Sequence, residues 1–312
     1  MKSIVTEEMR FRKKVCDYAI KHRNNAQAAR RYHTSRQQVS RWLKRYDGTA
    51  KSLAYLSRRP KSHPCKHNEE ELELIEKAYK RYGFEGLAQV YVVCRERGYT
   101  RSYGSMCKQI RKKHKKEALK KKYPKSNWKP ELVSYPGEKV QIDIKYVPLE
   151  CIGFNSHGAR YYQITALDEY SRKRVLKIVD EKSVTHTSNF MRSLEEKMGF
   201  KIITVQTDNG TEFTNSPDQR HKKSAFEMVL YNKGIKHKKT RPYSPWQNGK
   251  VERSHRIDGQ KFYQRRRFKS YTEMIKSHQR YASRYNNIAK KVLEFKSPNE
   301  VIEIFDWSLV AI

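Results

Sequence analysis

The chain has 312 residues, with 68 Lys and Arg against 33 Asp and Glu, a formal net charge of +35 and a pI near 10.0. That length suits about two domains, and the charge is the footprint of a nucleic-acid binder whose affinity falls steeply with salt as counterions are released. No run approaches the roughly 20 apolar residues of a membrane span, Met1 to Arg10 lacks the apolar core of a signal peptide, and five cysteines without a Cys-x-x-Cys pair argue against a disulfide framework.

A first helix is expected from Arg10 to about His22, with Phe11, Val15, Tyr18 and Ala19 on one side. Asn25 to Leu43 then reads as a helix-turn-helix. Small alanines let its first helix pack closely, Thr34 or Ser35 caps the second, and Val39, Trp42 and Leu43 form the buried side. Arg36, Gln37, Ser40, Arg41 and Lys44 are the candidate DNA-facing residues; a small bundle with a solvated basic face is the alternative. Gly48 to His67 is rich in Ser, Pro, Lys and Arg and reads as a linker. Its His63, Cys65 and His67 are three ligand-type side chains without a convincing fourth, so a linker is favoured over a tetrahedral zinc site.

Glu69 to Tyr82 and Leu87 to Arg97 follow helical spacing, Gly98 ends the second, and Ser102 to Arg111 resembles another recognition helix with Met106 and Ile110 inward. Arg111 to Lys122 holds eight Lys or Arg and one Glu, an exposed basic helix suited to phosphates. Further on, Lys139 to Val147, Tyr161 to Asp168, Arg174 to Val179, Ile202 to Thr207 and Ile235 to Thr240 read as strands. Ser183 to Met198 and Ala225 to Tyr231 read as helices. Domain boundaries follow at 1–47, 48–67, 68–115, 116–135, 136–262 and 263–312, the last a helical tail with a helix over Thr272 to Asn286 and a capping box at Ser297-Pro298-Asn299-Glu300.

Three carboxylates stand out. Asp143 sits in the alternating strand Val140 to Tyr146 and points away from its apolar face. Asp208 follows the β-branched run Ile202 to Val205 and opens an Asn-Gly turn. Glu252 lies just inside a helix announced by Ser244-Pro245-Trp246-Gln247, with Gln247 placed to close a capping box. Side chains so far apart converge only if the intervening chain folds into one sheet-and-helix unit. Such clusters serve pairs of hard cations, roughly 3.5–4 Å apart, that clamp the attacking and leaving oxygens of an in-line phosphoryl displacement. Asp168 and Glu169 also follow a strand but are read as structural.

The set of Asp143, Asp208 in Thr-Asp-Asn-Gly-Thr-Glu-Phe, and Glu252 in Arg-Pro-Tyr-Ser-Pro-Trp-Gln-Asn-Gly-Lys-Val-Glu-Arg resembles the core of bacterial insertion-sequence transposases of the Asp-Asp-Glu class, whose catalytic domain is similar to retroviral integrase. Residues 136 to 262 carry the match; the 43 residues between Asp208 and Glu252 are more than in many members, and Tyr285-Asn286 is not followed by the usual Arg-Pro-His element. The resemblance implies an α/β ribonuclease-H-like core, a mixed five-stranded sheet with helices on both faces, preceded by all-α helix-turn-helix modules. It implies a transposase that binds its element's terminal repeats, cleaves 3′ ends and transfers strands to target DNA with two Mg²⁺ ions, for which Mn²⁺ can substitute. Asp143 would bridge the ions, and Asp208 and Glu252 would each complete one. Expected DNA contacts are Asn209, with a hydrogen bond to the ligand set as its alternative, Tyr243, with packing beside the helix start as its alternative, and Lys250, Arg253 and Arg256, for which an ordinary salt bridge to Glu252 is the alternative. Double-stranded DNA and a homodimer or larger assembly on paired ends are the expected partners, in a cytoplasmic, nucleoid-associated bacterial protein. The rival readings are a DNA-binding regulator with an inactive core and a metal-dependent nuclease that does not join.

Overall fold

The computed structural model describes residues 5–56, 60, 65–114, 131–215, 222–242 and 244–310. They divide into two compact units, Met1–Lys66 and His67–Ile312.

The first unit packs α1 (Glu7–Lys21), α2 (Asn25–Arg31) and α3 (Arg36–Leu43) around Val15, Ala19, Ala28, Ala29 and Val39. Ser35, rather than Thr34, caps α3 by accepting from Gln38 N at 3.2 Å. The unit continues past residue 47. Leu53, in a 3-10 turn over Ala50–Leu53, is fully buried and its carbonyl accepts from the Arg12 guanidinium at 2.9 Å.

In the second unit, α4 (Glu69–Tyr82), α5 (Leu87–Glu96) and α6 (Tyr103–Lys113) enclose their own core, with Met106 and Ile110 inward as expected. The module belongs to the same compact unit as the sheet and is not a separate body. His63 lies outside the described residues. His67 is no metal ligand: both its ring nitrogens are taken, by the Tyr99 hydroxyl at 2.8 Å and the Gln109 amide at 2.9 Å. The basic run beyond His114 also lies outside the described residues.

The sheet comprises β1 (Val140–Tyr146), β2 (Tyr162–Asp168), β3 (Arg174–Val179), β4 (Thr204–Thr207) and β5 (Lys236–Lys239), in spatial order β3-β2-β1-β4-β5. β1 pairs antiparallel with β2 and parallel with β4, so it is central. On one face, Val140, Ile142, Ile164 and Val205 bury against α7 (Val184–Arg192), α8 (Leu194–Met198) and α9 (Ala225–Asn232) through Phe190, Leu194, Met198 and Phe226. The single helix expected over Ser183 to Met198 is broken at Ser193, whose ψ of 3° falls outside helical geometry.

The opposite face differs from a half-buried sheet. Gln141, Gln163, Thr165, Gln206 and Arg174 are all buried, because α10 (Gly249–Lys261) and α11 (Tyr271–Asn286) cover them. Polar side chains shut away from water must find partners, and these do. Gln163 donates to Asp258 of α10 at 2.8 Å, and the Arg174 guanidinium pairs with the same fully buried carboxylate at 2.6 Å. Asn286 clamps β3 from α11, accepting from Arg174 N at 3.0 Å and donating to Arg174 O at 2.9 Å. The C-terminal segment is therefore part of the core's packing. Its last helix, α12 (Pro298–Glu303), has the expected capping box.

Candidate active site

Each of the three expected carboxylates sits on a different element. Asp143 is in the middle of β1, its Oδ1 accepting from Ile144 N at 2.8 Å and its Oδ2 standing 3.5 Å from His255 Nδ1 of α10. Asp208 follows β4 directly, and its Oδ1 accepts from Gly210 N at 3.0 Å, closing the Asp-Asn-Gly turn. Glu252 lies in the first turn of α10 and is exposed.

Burial, and then the negative charges of Asp208, Glu252 and Glu212, push the Asp143 carboxyl up to about 7, against the Ile144 hydrogen bond, which lowers it. The three elements thus bring their carboxylates into one electrostatic field. Glu212, in the same Thr-Asp-Asn-Gly-Thr-Glu-Phe run, is a fourth member that the strand and helix signals do not single out. It is buried at 4% exposure, and Lys182 meets its Oε1 at 2.8 Å. Gly210 makes room for it, since a Cβ there would lie 2.5 Å from the Glu212 carboxylate. Burial alone would lower the Lys182 ammonium, but the Glu212 hydrogen bond and the charges of Glu212 and Asp208 leave it raised.

A set of oxygen donors in which burial, and then mutual repulsion, raises one member's pKa, with an ammonium drawn to its edge, suits hard divalent cations. Among the described residues no three His, Cys, Asp or Glu side chains stand close enough to hold one ion. Ligation would therefore require the elements carrying these side chains to draw closer than they stand here.

The helix start that carries Glu252 is built differently from the capping box expected there. Ser244 makes no side-chain cap, and Pro245–Asn248 forms a 3-10 turn before α10. Gln247 Oε1 instead accepts from Arg241 N at 2.9 Å, so it is unavailable to close a box. The anchoring comes from the sheet. Gln141 and Gln206, register partners in β1 and β4, both donate to Gln247 O, at 3.1 and 2.9 Å. Gln206 also donates to Asn248 Oδ1 at 2.8 Å, and Gln141 Oε1 accepts from Val251 N at 3.0 Å. Each glutamine lies two residues before an aspartate, in Gln141-Ile142-Asp143 and Gln206-Thr207-Asp208, and strand alternation puts Gln141 on the face of Asp143.

His255, one turn beyond Glu252, is driven by burial down to about 4 and is neutral. Its Nε2 is buried without a hydrogen-bond partner among the described residues. Asp168 and Glu169 are structural, as read. Asp168 accepts from Gly137 N at 2.9 Å and from Ser171 N and Oγ at 2.7 Å. Glu169 accepts from the Gln141 amide at 2.8 Å and pairs with Lys139 at 3.0 Å and with Lys250.

That last pair gives Lys250 an acidic partner other than the Glu252 of the salt-bridge reading. Asn209 donates to Thr240 O at 2.8 Å, tying the ends of β4 and β5 together. Arg253 and Arg256 are exposed, as are Arg36, Gln37, Arg41 and Lys44 on α3; Ser40 is half-buried, and Tyr243 lies outside the described residues.

Residues 134–245 and 233–288 match integrase core domain families, and residues 11–61 match a helix-turn-helix domain. The ORF3 protein of Spiroplasma virus SpV1-C74, whose integrase assignment is itself provisional, is 31% identical over 125 residues, covering 37% of this chain and 33% of that protein. The retrovirus-related Pol polyprotein from transposon TNT 1-94 of Nicotiana tabacum is 32% identical over 103 residues, covering 32% of this chain and 7% of the polyprotein. The chain thus spans a third or less of the length of these curated relatives. Among solved structures, a simian T-cell lymphotropic virus intasome in complex with PP2A regulatory subunit B56 gamma aligns over 73% of this chain and 75% of that one, at 16% identity and TM-score 0.43. The catalytic core domain of BIV integrase aligns over 54% and 94%, at 18% identity and TM-score 0.39. The catalytic core domain of HTLV-2 integrase, solved with magnesium, aligns over 53% and 96%, at 15% identity and TM-score 0.39. The domain matches and the sheet itself agree: the chain carries an integrase core domain with a helix-turn-helix domain ahead of it.

Proposed function

We propose that the chain is a transposase that binds the terminal repeats of its mobile element, cleaves 3′ ends and transfers the freed strand to target DNA. The observation that carries this reading is the shared field at Asp143, which feels the charges of carboxylates from the end of β4 and from α10. A helix-turn-helix domain in the same chain supports DNA as the substrate.

Asp143, Asp208 and Glu252 would hold two Mg²⁺ ions, or Mn²⁺ in their place. When bound, such ions supply charge neutralisation at the phosphate and an activated nucleophile at neutral pH. The remaining tasks fall to the chain. Gln141 and Gln206 hold the start of α10 against the sheet and so limit where Glu252 can travel. Glu212 adds negative charge that retains cations, and neutral His255 presents a nitrogen to Asp143 without competing as a cation. Arg253 and Arg256, exposed on the same helix, suit phosphate contacts that position a strand. Arg36, Gln37, Ser40, Arg41 and Lys44 would read the terminal repeat in a major groove. Bringing two element ends together calls for at least a homodimer on DNA.

The test incubates purified protein with Mg²⁺, DNA carrying the element's own ends and a target plasmid. The reading expects nicked ends and covalently joined products. Cleavage without joined product would reduce the protein to a nuclease, and specific binding without cleavage would reduce it to a regulator.

A further inference from the structure

The helix that carries Glu252 has a second functional face. While His255 turns towards Asp143, Lys250, Arg253, Ile257 and Lys261 line a cleft of about 800 Å³. Its far walls are the α4–α5 connection at Phe84 to Ala88 and the surface of α11.

Charge in this cleft is unbalanced. Arg172, Arg253, Arg266 and Arg280 all line it, and none makes an ion pair or a side-chain hydrogen bond among the described residues. The acid in the lining, Glu85, is already bound by Arg284. Burial, and then the positive charges of Arg174 and Lys261, push Lys290 in the same wall down to about 7. An anion would relieve both conditions. Between the guanidinium groups the wall is apolar, with Leu167, Ile257 and Ile288, and Phe84 is 44% exposed at the rim with Arg265 over its ring at 4.3 Å.

Arginines alternating with apolar and aromatic surface bind phosphates and unstacked bases together. The volume lies within the range of small-ligand sites, about 300–1,000 Å³. That is room for one or two nucleotides and far too little for a duplex.

We propose that this cleft binds an unpaired stretch of one DNA strand, one or two nucleotides long, adjacent to the phosphodiester that reaches Asp143, Asp208 and Glu252. It rests on the transposase reading, because a strand running from those carboxylates along α10 meets Arg253 within one turn of Glu252. The cleft holds that strand by its phosphates and by base stacking, and it gives the second helical module a function beyond its own core.

The experiment measures fluorescence anisotropy of a labelled short oligothymidylate with the full chain in EDTA, so that no cation-dependent step contributes. Arg266→Glu/Arg280→Glu is expected to weaken binding about tenfold or more, and Arg280→Ala alone to weaken it in the same direction if the double variant misfolds. The charge-matched Lys197→Glu/Lys201→Glu is expected to change it less than about twofold. Equal losses in both double variants, or no loss at Arg280, would overturn the proposal, as would a duplex of equal length or a polyglutamate peptide competing as well as the oligonucleotide. A wild-type chain that cleaves element ends yet shows no cleft-dependent strand binding would remove the cleft and leave the transposase reading standing.

Discussion

Gln141 and Gln206 stand side by side on parallel strands and donate to the same acceptor, the main-chain carbonyl of Gln247, at 3.1 and 2.9 Å. These two hydrogen bonds to one oxygen fix the approach of α10 to the sheet. They do so two residues before each aspartate and five before Glu252.

Replacing either glutamine should therefore damage chemistry more than DNA binding. Gln141→Ala leaves the Val251 amide and the Glu169 carboxylate short of a partner, each a cost of about 1–3 kcal/mol. Single-turnover cleavage should fall about tenfold or more, with affinity for element-end DNA within about twofold of wild type. Parallel losses in both would mean that the glutamines hold the fold and not the helix position.

The acid–base behaviour of Asp143 gives a pH test without metal. Its folded pKa of about 7 lies above the ordinary value of 3.8, so the folded state binds the extra proton between those values. The stability from this group is fully present below about pH 4 and is lost as pH rises through 7, with an upper bound of about 4 kcal/mol. Melting of the metal-free protein across that window should fall more steeply for wild type than for Asp143→Asn. Mg²⁺ should flatten the wild-type curve. Identical slopes for the two proteins would contradict the shared field.

Behind the site, Arg174 and Asp258 form a fully buried ion pair, and the guanidinium carbon lies 3.5 Å from the centre of the Tyr285 ring. Removing one partner leaves an uncompensated buried charge, so Asp258→Asn or Arg174→Met should lower urea-measured stability by about 3–5 kcal/mol. A loss below about 1 kcal/mol would show that water reaches the network.

On α3, Arg36, Gln37, Arg41 and Lys44 are exposed while Val39 is wholly buried. If this face reads bases, alanine at Arg36 or Arg41 should cost about 1–3 kcal/mol on the terminal repeat and little on unrelated DNA. A uniform loss on both, with a shallower salt slope, would reduce those contacts to phosphate.

The placement of Asp143 in a strand, Asp208 at a strand end and Glu252 at a helix start, with most of the elements, is legible in the chain because those signals are local. Alternation marks β1, an Asn-Gly turn follows Asp208, and Met106 and Ile110 face inward at helical spacing. What escapes is the polar layer between sheet and helices. Gln141 meets Val251 across 110 residues, and Arg174 meets Asp258 across 84, so no window of sequence holds both partners. For the same reason a strand face that alternates like a solvated one is buried. The capping box expected at Ser244 fails on a comparable point: Gln247 has a non-local site on the sheet and a nearer donor in Arg241.

The central claim is that Asp143, Asp208 and Glu252 act as one cation site although they lie on three elements and, among the described residues, no three ligating side chains are drawn together. Calorimetric titration of Mn²⁺ into the full chain and into Asp143→Asn, Asp208→Asn and Glu252→Gln measures this directly. The account predicts saturable binding in wild type and at least about a tenfold loss of affinity in each variant. Binding that survives unchanged in Asp143→Asn or Glu252→Gln would contradict it.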